Sequence, residues 1–279
     1  MAVLKYQDKL QQTKKKRRRI KAAAFLSGAL LFTGGAVCLL FFAGFFEVGT
    51  IVVIGADQTI TQQVEQTVAN WLAEKFLSIE RRKNFYFLSR KKLEALILSG
   101  SSLIKSVEIE TQSPRDLKIL LEERTPMGVW CQSDGVCFLF DQDGVAYQNA
   151  SLTEGMILIT VKDMRKREIA INHKVDQDEY LAKFSVIKKE LRLRGVGVIE
   201  FIIPEQSPDE FHSRISYLVA GQSFKTIVYF NLESDPQKQA SDLLDLFSEK
   251  LSDSQRRNIE YLDLRIPGRV YYKLVPEAL

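Results

Sequence analysis

One uncharged stretch dominates the hydrophobicity pattern of the chain. Residues 22–46 contain no Asp, Glu, Lys or Arg, and this length exceeds the roughly 20 apolar residues with which a helix spans a bilayer. A cleaved signal peptide has a shorter apolar core, of about 7–15 residues, and the core helix of a soluble domain is seldom apolar on every side. The pattern therefore predicts a single transmembrane helix at 22–46.

After this stretch, apolar positions alternate between helical and strand spacing. Residues 47–124 show the order strand, helix, helix, strand, strand, which is long enough for a small independent core. Thr59 and Ser89 are predicted to cap the two helices, Thr59 in a capping box with Gln62. The predicted strands are 50–54, 107–110 and 117–121.

Residues 125–279 are rich in short strands. Asp134-Gly135 and Asp143-Gly144 are strong hairpin signals, and Asp235-Pro236 is typical of a helix start. The stretch 150–176 shows no clear periodicity. The pattern predicts strands at 127–131, 136–140, 145–147, 196–203, 211–219, 224–231, 259–266 and 269–274, with helices at 177–194 and 235–251. We therefore predict an α+β fold with a C-terminal mixed β-domain and flanking helices.

The net charge of +4 hides an asymmetry along the chain. Of its 39 bases and 35 acids, nine bases and one acid lie in residues 1–21, which leaves 30 bases and 34 acids for the rest. Positive charge beside a transmembrane helix stays in the cytoplasm. Residues 1–21 are thus predicted to form a basic cytoplasmic tail, with 47–279 outside, and a basic tail on a near-neutral body does not indicate nucleic-acid binding.

The sequence shows no pattern typical of an enzyme. The two histidines, His173 and His212, have no Cys, His or carboxylate at the spacing of metal ligands. Phosphate-binding loops, nucleophile elbows and H-E-x-x-H motifs are absent from the sequence. We predict a non-enzymatic binding protein without a metal, cofactor or small-molecule substrate.

Two of the three cysteines flank a predicted hairpin turn. Cys131 and Cys137 would face each other across the two strands, and a disulfide is permitted outside the cytoplasm. Two reduced cysteines in a half-buried hairpin fit the sequence equally well. Cys38 lies within the apolar stretch and is interpreted as apolar filler.

Several short motifs, in their order along the chain, resemble the FtsQ/DivIB family of bacterial cell-division proteins. The resemblance covers nearly the whole chain except 150–200 and implies a POTRA domain at 47–124 and an FtsQ-type β-domain at 125–279. The motifs are Phe46-Glu47-Val48 before Ile51-Val52-Val53-Ile54-Gly55, Glu123-Arg124-Thr125-Pro126, and residues 103–109, 140–146, 260–265 and 268–273.

This resemblance implies a bitopic scaffold in the plasma or inner membrane at the division septum. Family members bind FtsB/FtsL-like bitopic proteins through the outer domain, and a terminal strand with an unpaired edge would suit addition of a partner strand. Ordinary packing of the two tyrosines in that strand explains the sequence equally well. The candidate partner-binding residues are Ile266, Gly268, Arg269, Val270, Tyr271, Tyr272 and Lys273.

Two alternative functions come from other classes. A POTRA-type secretion or envelope-assembly factor would be expected to have tandem POTRA repeats or a membrane barrel. An anchored cell-wall enzyme would need a catalytic constellation. The sequence shows neither feature, so we predict the scaffold.

Overall fold

The computed structural model describes residues 2–42, 47–74, 88–113, 115–151, 158–176, 180–207 and 209–276. The chain divides into two compact units, 1–122 and 123–279, a boundary two residues before the predicted one. The predicted mixed α+β class, with one apolar N-terminal helix and a large sheet, is confirmed. Each unit has its own hydrophobic core.

The first unit begins with a 41-residue helix, α1, at Ala2–Phe42. Its part from Lys16 to Val37 is long and apolar enough to cross a membrane, and the side chains there lie exposed. Its residues 22–37 carry no charge, and an exposed helical stretch that is apolar all round suits a lipid environment. Residues 43–46, the end of the predicted span, lie outside the described residues.

The rest of the first unit packs two helices against a three-stranded sheet of order β1-β3-β2. Strand β1 runs parallel to β3, with Val52 opposite Lys118. The core of this unit contains Ile60, Val64, Val68 and Leu72 of α2 together with Leu93 and Ile97 of α3. The elements are β1 Thr50–Ile54, α2 Gln58–Ala73, α3 Arg90–Gly100, β2 Ile104–Ser113 and β3 Asp116–Glu123.

The predicted capping box at Thr59 is wrong. Gly55 leaves β1 with φ +95°, a left-handed conformation that turns the chain early. Helix α2 therefore begins at Gln58 with Asp57 at its N-cap, and Asp57 makes no capping side-chain hydrogen bond. Ser89 does hold the N-cap of α3, also without such a bond.

The second unit is built on a nine-stranded sheet of order β12-β11-β10-β9-β8-β7-β4-β5-β6. The pairs β4–β7, β7–β8 and β10–β11 are parallel, and the others are antiparallel. The elements are β4 Gly128–Cys131, β5 Cys137–Phe140, β6 Ala146–Ala150, β7 Ile159–Asp163, α4 Tyr180–Leu193, β8 Gly197–Ile203, β9 Glu210–Val219, β10 Gln222–Asn231, α5 Pro236–Asp245, α6 Asp253–Arg257, β11 Ile259–Asp263 and β12 Tyr271–Leu274.

Helices α4 and α5 share the core of this unit with one face of the sheet. Phe184 of α4 stacks on Phe201 of β8 with ring centroids 4.1 Å apart. Phe211 and Phe230, on β9 and β10, extend the aromatic layer at 5.2 Å. We call this side of the sheet its helix face and the opposite side its open face.

The C-terminal elements differ from the prediction. The helix predicted at 235–251 is interrupted by a π-helical turn, Leu246–Lys250, and followed by the unpredicted α6. Strand β11 ends at Asp263 and β12 starts at Tyr271, so both strands are shorter than predicted. Between the two strands the chain turns away from the sheet. Gly268 has φ +73° there, and Arg269 N donates a hydrogen bond to Ile266 O.

Candidate functional site

Strand β12 lies at one edge of the nine-stranded sheet. It pairs with β11, and no other strand among the described residues lies beside it. Val275 N donates to Asn258 O at 2.7 Å, so the N–H group of Val275 points towards β11. Every second residue before Val275 points its backbone groups in the same direction. Because backbone groups alternate in direction along a strand, Tyr272 and Leu274 point their N–H and C=O groups to the unpaired side.

The structure brings the candidate partner-binding residues together at this edge. Tyr271 is 45% exposed and Tyr272 is 42% exposed, and they lie on opposite faces of β12. In the turn before the strand, Ile266 is exposed and Gly268 has room around its Cα. Val270 is the exception, because its side chain packs against the core. The edge therefore combines an unpaired backbone with exposed aromatic rings.

Two cations lie on this edge, and both are held by neighbours. Lys273 Nζ lies 2.9 Å from Glu260 Oε2 and donates a hydrogen bond to Glu260 Oε1 at 3.1 Å, and this hydrogen bond raises the pKa of Lys273 above its usual value. Arg269 Nη1 donates to the Tyr271 hydroxyl at 3.3 Å. These contacts hold both side chains against neighbouring residues along the edge.

A small cavity adjoins the turn between β11 and β12. Its volume is about 110 Å³, and Asp235, Lys238 and Asp242 of the α5 region line it opposite Ile266 and Arg269. The lining mixes both signs of charge with apolar surface.

An ion network holds the end of β11. Arg265 donates to Asp263 Oδ1 at 3.0 Å and to Oδ2 at 2.6 Å, and it also reaches Glu210 Oε2 on β9 at 2.8 Å. Its guanidinium lies 5.2 Å from the ring centroid of Tyr229, within the usual range of a cation–π contact. His212 Nε2 lies 3.2 Å from Glu210 Oε1. The network connects three strands on the open face, next to the turn that precedes β12.

The network shifts the pKa values of its carboxylates. Hydrogen bonds from Arg265 hold the pKa of Asp263 below its usual value, against the opposing effect of burial. Burial alone would raise the pKa of Glu210, but hydrogen bonds from Arg265 and His212 outweigh it and lower that pKa. Asp263 and Arg265 lie two residues apart in the sequence, whereas Glu210 and His212 carry no local sequence signal.

The two cysteines of the second unit are bonded in the structure. Cys131 on β4 and Cys137 on β5 are directly opposite, with an S–S distance of 2.08 Å and Cα atoms 4.0 Å apart. Both are buried beside Val129 and Leu139. The disulfide thus joins the two strands of the hairpin.

Chemistry for catalysis or metal binding was not predicted, and the described residues form no group of three His, Cys, Asp or Glu side chains that could hold a metal ion. His173 lies in a turn, with Nδ1 3.2 Å from Ile171 O. His212 belongs to the ion network on the open face. The two histidines therefore take part in separate local hydrogen bonds.

Comparisons with known proteins assign no family. No protein-family model matches the chain, and a comparison with curated proteins finds no significant match. The resemblance to the FtsQ/DivIB family therefore stays a prediction.

Proposed function

We propose that this chain is a non-enzymatic, single-pass membrane scaffold of the bacterial division septum, of the FtsQ/DivIB kind. Its second unit would bind FtsB/FtsL-like bitopic proteins by strand addition to β12. The observation that carries the proposal is the unpaired edge of β12, with Tyr271 and Tyr272 exposed on its two faces.

Two observations support an orientation with both folded units outside the cytoplasm. The basic run Lys14 to Arg19 directly precedes the apolar stretch, which favours a cytoplasmic N-terminus. The Cys131–Cys137 disulfide belongs to the second unit, and disulfides persist in oxidising compartments outside the cytoplasm. The two lines of reasoning are independent and agree.

The order of elements also supports the family proposal. The first unit has the sequence β-α-α-β-β after α1, which is the order implied for a POTRA domain. The second unit has a mixed sheet with helices on one face, as implied for the β-domain. We therefore propose that residues 47–122 form the POTRA domain and 123–279 the β-domain.

The backbone provides the main attraction in this binding mode. A partner strand would bond to the outward N–H and C=O groups of Tyr272 and Leu274, and main-chain hydrogen bonds of this type give strand addition its affinity. Tyr271 and Tyr272 would add contact area on either face at low cost in conformational entropy. Anchoring both proteins in one membrane raises their effective concentration.

A proline scan of β12 tests the proposal. The full chain is reconstituted in vesicles with the FtsB-like protein of the same host, and binding is measured by fluorescence transfer between labelled proteins. Tyr272→Pro removes an outward N–H group and leaves the bonds to β11 in place, and proline is tolerated at such edge positions. We expect at least tenfold weaker binding.

Tyr272→Ala is the matched control because it removes the ring and keeps the N–H group. Its binding should lie between that of the wild type and that of the proline variant. Equal binding by all three proteins would move the interface away from β12. If the wild type binds no such partner and a fluorescent fusion spreads evenly around the envelope, the division role itself is wrong.

A further inference from the structure

The three-stranded sheet of the first unit has an edge that lacks the usual protection. Natural edge strands carry charges, bulges or prolines that prevent pairing with another chain. Strand β2 carries Lys105, Glu108 and Glu110, and β12 carries Lys273. Strand β1 reads Thr-Ile-Val-Val-Ile, without a charge, a proline or a register shift.

The side chains of β1 add an exposed apolar stripe to this edge. Val52 is 44% exposed and Ile54 is 43% exposed, although Val53 between them is buried against the helices. Ile54 lies opposite Leu120 of β3, so the stripe continues onto the next strand. Among the described strands, β1 has a neighbour only on its β3 side. Within the described residues, β1 thus presents an unpaired backbone edge and exposed outer side chains.

We propose that β1 pairs antiparallel with β1 of a second copy of this chain, around a two-fold axis at Val52. This register places Val52 opposite Val52, and Thr50 opposite Ile54. Every pair is then apolar or contains Thr50, so no like charges meet.

The connection to α1 is compatible with this pairing. Seven residues separate Phe42 from Thr50, and a chain of this length reaches at most roughly 28 Å. In the proposed register the two Thr50 residues lie about 14 Å apart along the strands. Two parallel helices in one membrane can therefore both connect to the paired strands. The inference needs α1 as a membrane anchor but does not need a division partner.

The expected affinity is low outside a membrane. A pair of five-residue strands buries far less than the roughly 1,000 Å² of a stable soluble interface. Confinement of both chains to one bilayer compensates by raising their effective concentration. Self-association should consequently depend on the protein-to-lipid ratio.

Cysteine cross-linking of the full chain in vesicles tests the register. All variants carry Cys38→Ala, and a short bifunctional maleimide reacts with free thiols and leaves the Cys131–Cys137 disulfide intact. Val52→Cys should cross-link to itself, at least fivefold more than Thr50→Cys or Ile54→Cys alone. A mixture of Thr50→Cys and Ile54→Cys chains should form the mixed dimer. Tenfold dilution with lipid should reduce all these products.

A charge placed on the edge supplies an independent test. Val52→Lys should lower the dimer fraction at least fivefold, measured by fluorescence transfer between α1-labelled chains. Val136→Lys is the control, because Val136 is 45% exposed and lies in the second unit. Self-cross-linking of Thr50→Cys or Ile54→Cys as strong as that of Val52→Cys would overturn the antiparallel register. An unchanged dimer fraction in Val52→Lys would overturn the interface.

Discussion

Arg265 shows how one side chain can hold the end of a strand. It lies just after β11, contacts Asp263 at the end of β11 and Glu210 on β9, and covers the ring of Tyr229. Charge-assisted hydrogen bonds of this kind are shorter and stronger than neutral ones. The last residues of β11, and with them the turn to β12, are thereby fixed to the middle of the sheet.

Replacing this arginine should destabilise the second unit in a pH-dependent way. Arg265→Met is expected to lower the free energy of unfolding at pH 7 by about 1–2 kcal/mol, a value reduced for the partial exposure of the guanidinium. The pKa values of Asp263 and Glu210 are lowered in the folded state. Their contribution is therefore present above the unfolded pKa values and lost as pH falls through the folded ones.

The difference between Arg265→Met and the wild type should accordingly shrink between pH 7 and pH 3. Urea unfolding, followed by the fluorescence of the buried Trp130, measures this difference in the free energy of unfolding of the second unit. Lys166→Met is the control, since Lys166 and its partner Glu205 are both exposed and such pairs contribute little. A difference that stays constant over this pH range would show that packing, and not charge, holds Arg265.

At the scale of single residues, the sequence predicts contacts between residues that are close together in the chain. Asp263 and Arg265 are two residues apart, and Arg265 N donates to Asp263 Oδ1 just after the end of β11, so their pairing is local. Glu210 and His212 join them only because β9 and β11 both pair with β10, which no spacing along the chain indicates. The prediction that Thr59 is the N-cap of α2 was wrong because Gly55 turns the backbone earlier than the capping pattern suggests.

Among the elements, the hairpins were the most predictable. Asp-Gly pairs marked the turns of β4–β5 and β5–β6, which the structure contains. Strand β7 was missed because it lies between two parallel neighbours and four of its five residues are buried, so polar and apolar positions do not alternate. The π-helical turn was missed because Leu243, Phe247 and Leu251 keep one helical spacing through it.

The β4–β5 hairpin leads to a prediction about its disulfide. Replacing Cys131 and Cys137 by alanine should lower the free energy of unfolding of the second unit by about 2 kcal/mol, the loop entropy of a short closed ring. The first unit should unfold as before, because its core is separate. Urea curves from Trp130 and from Trp71 report on the two units separately.

Cys38→Ala serves as the control for this experiment because Cys38 lies in α1 and not on either strand of the β4–β5 hairpin. It should leave both curves unchanged. Equal shifts of both curves in the double alanine variant would contradict separate cores.

For the whole molecule, the sequence predicted one apolar helix and an α+β body, and the family resemblance pointed to a terminal strand with an unpaired edge. The rest of the strand order was not predicted, because it depends on contacts far apart in the chain. Strand β1, for example, pairs with β3 across more than sixty residues. The unprotected edge of β1 therefore became visible only in three dimensions.

The orientation of the chain gives a prediction at this scale. In spheroplasts of the wild type, protease added outside should digest both folded units. Changing Lys14, Lys15, Lys16, Arg17, Arg18 and Arg19 to Gln removes most of the charge that keeps the N-terminus inside. The fraction of molecules whose second unit resists the added protease should rise several-fold. Complete digestion of both proteins would show that these charges do not set the orientation.

The place of β12 in the chain has a consequence for timing. A polypeptide exported from its N-terminus brings β12 out after the other eight strands of its sheet, and β12 needs β11 in place to pair. Until that moment the edge proposed for partner binding does not exist. A partner strand that recognises β12 would thus select molecules in which the other eight strands of the sheet have already been exported, so the order of synthesis itself would check the quality of assembly.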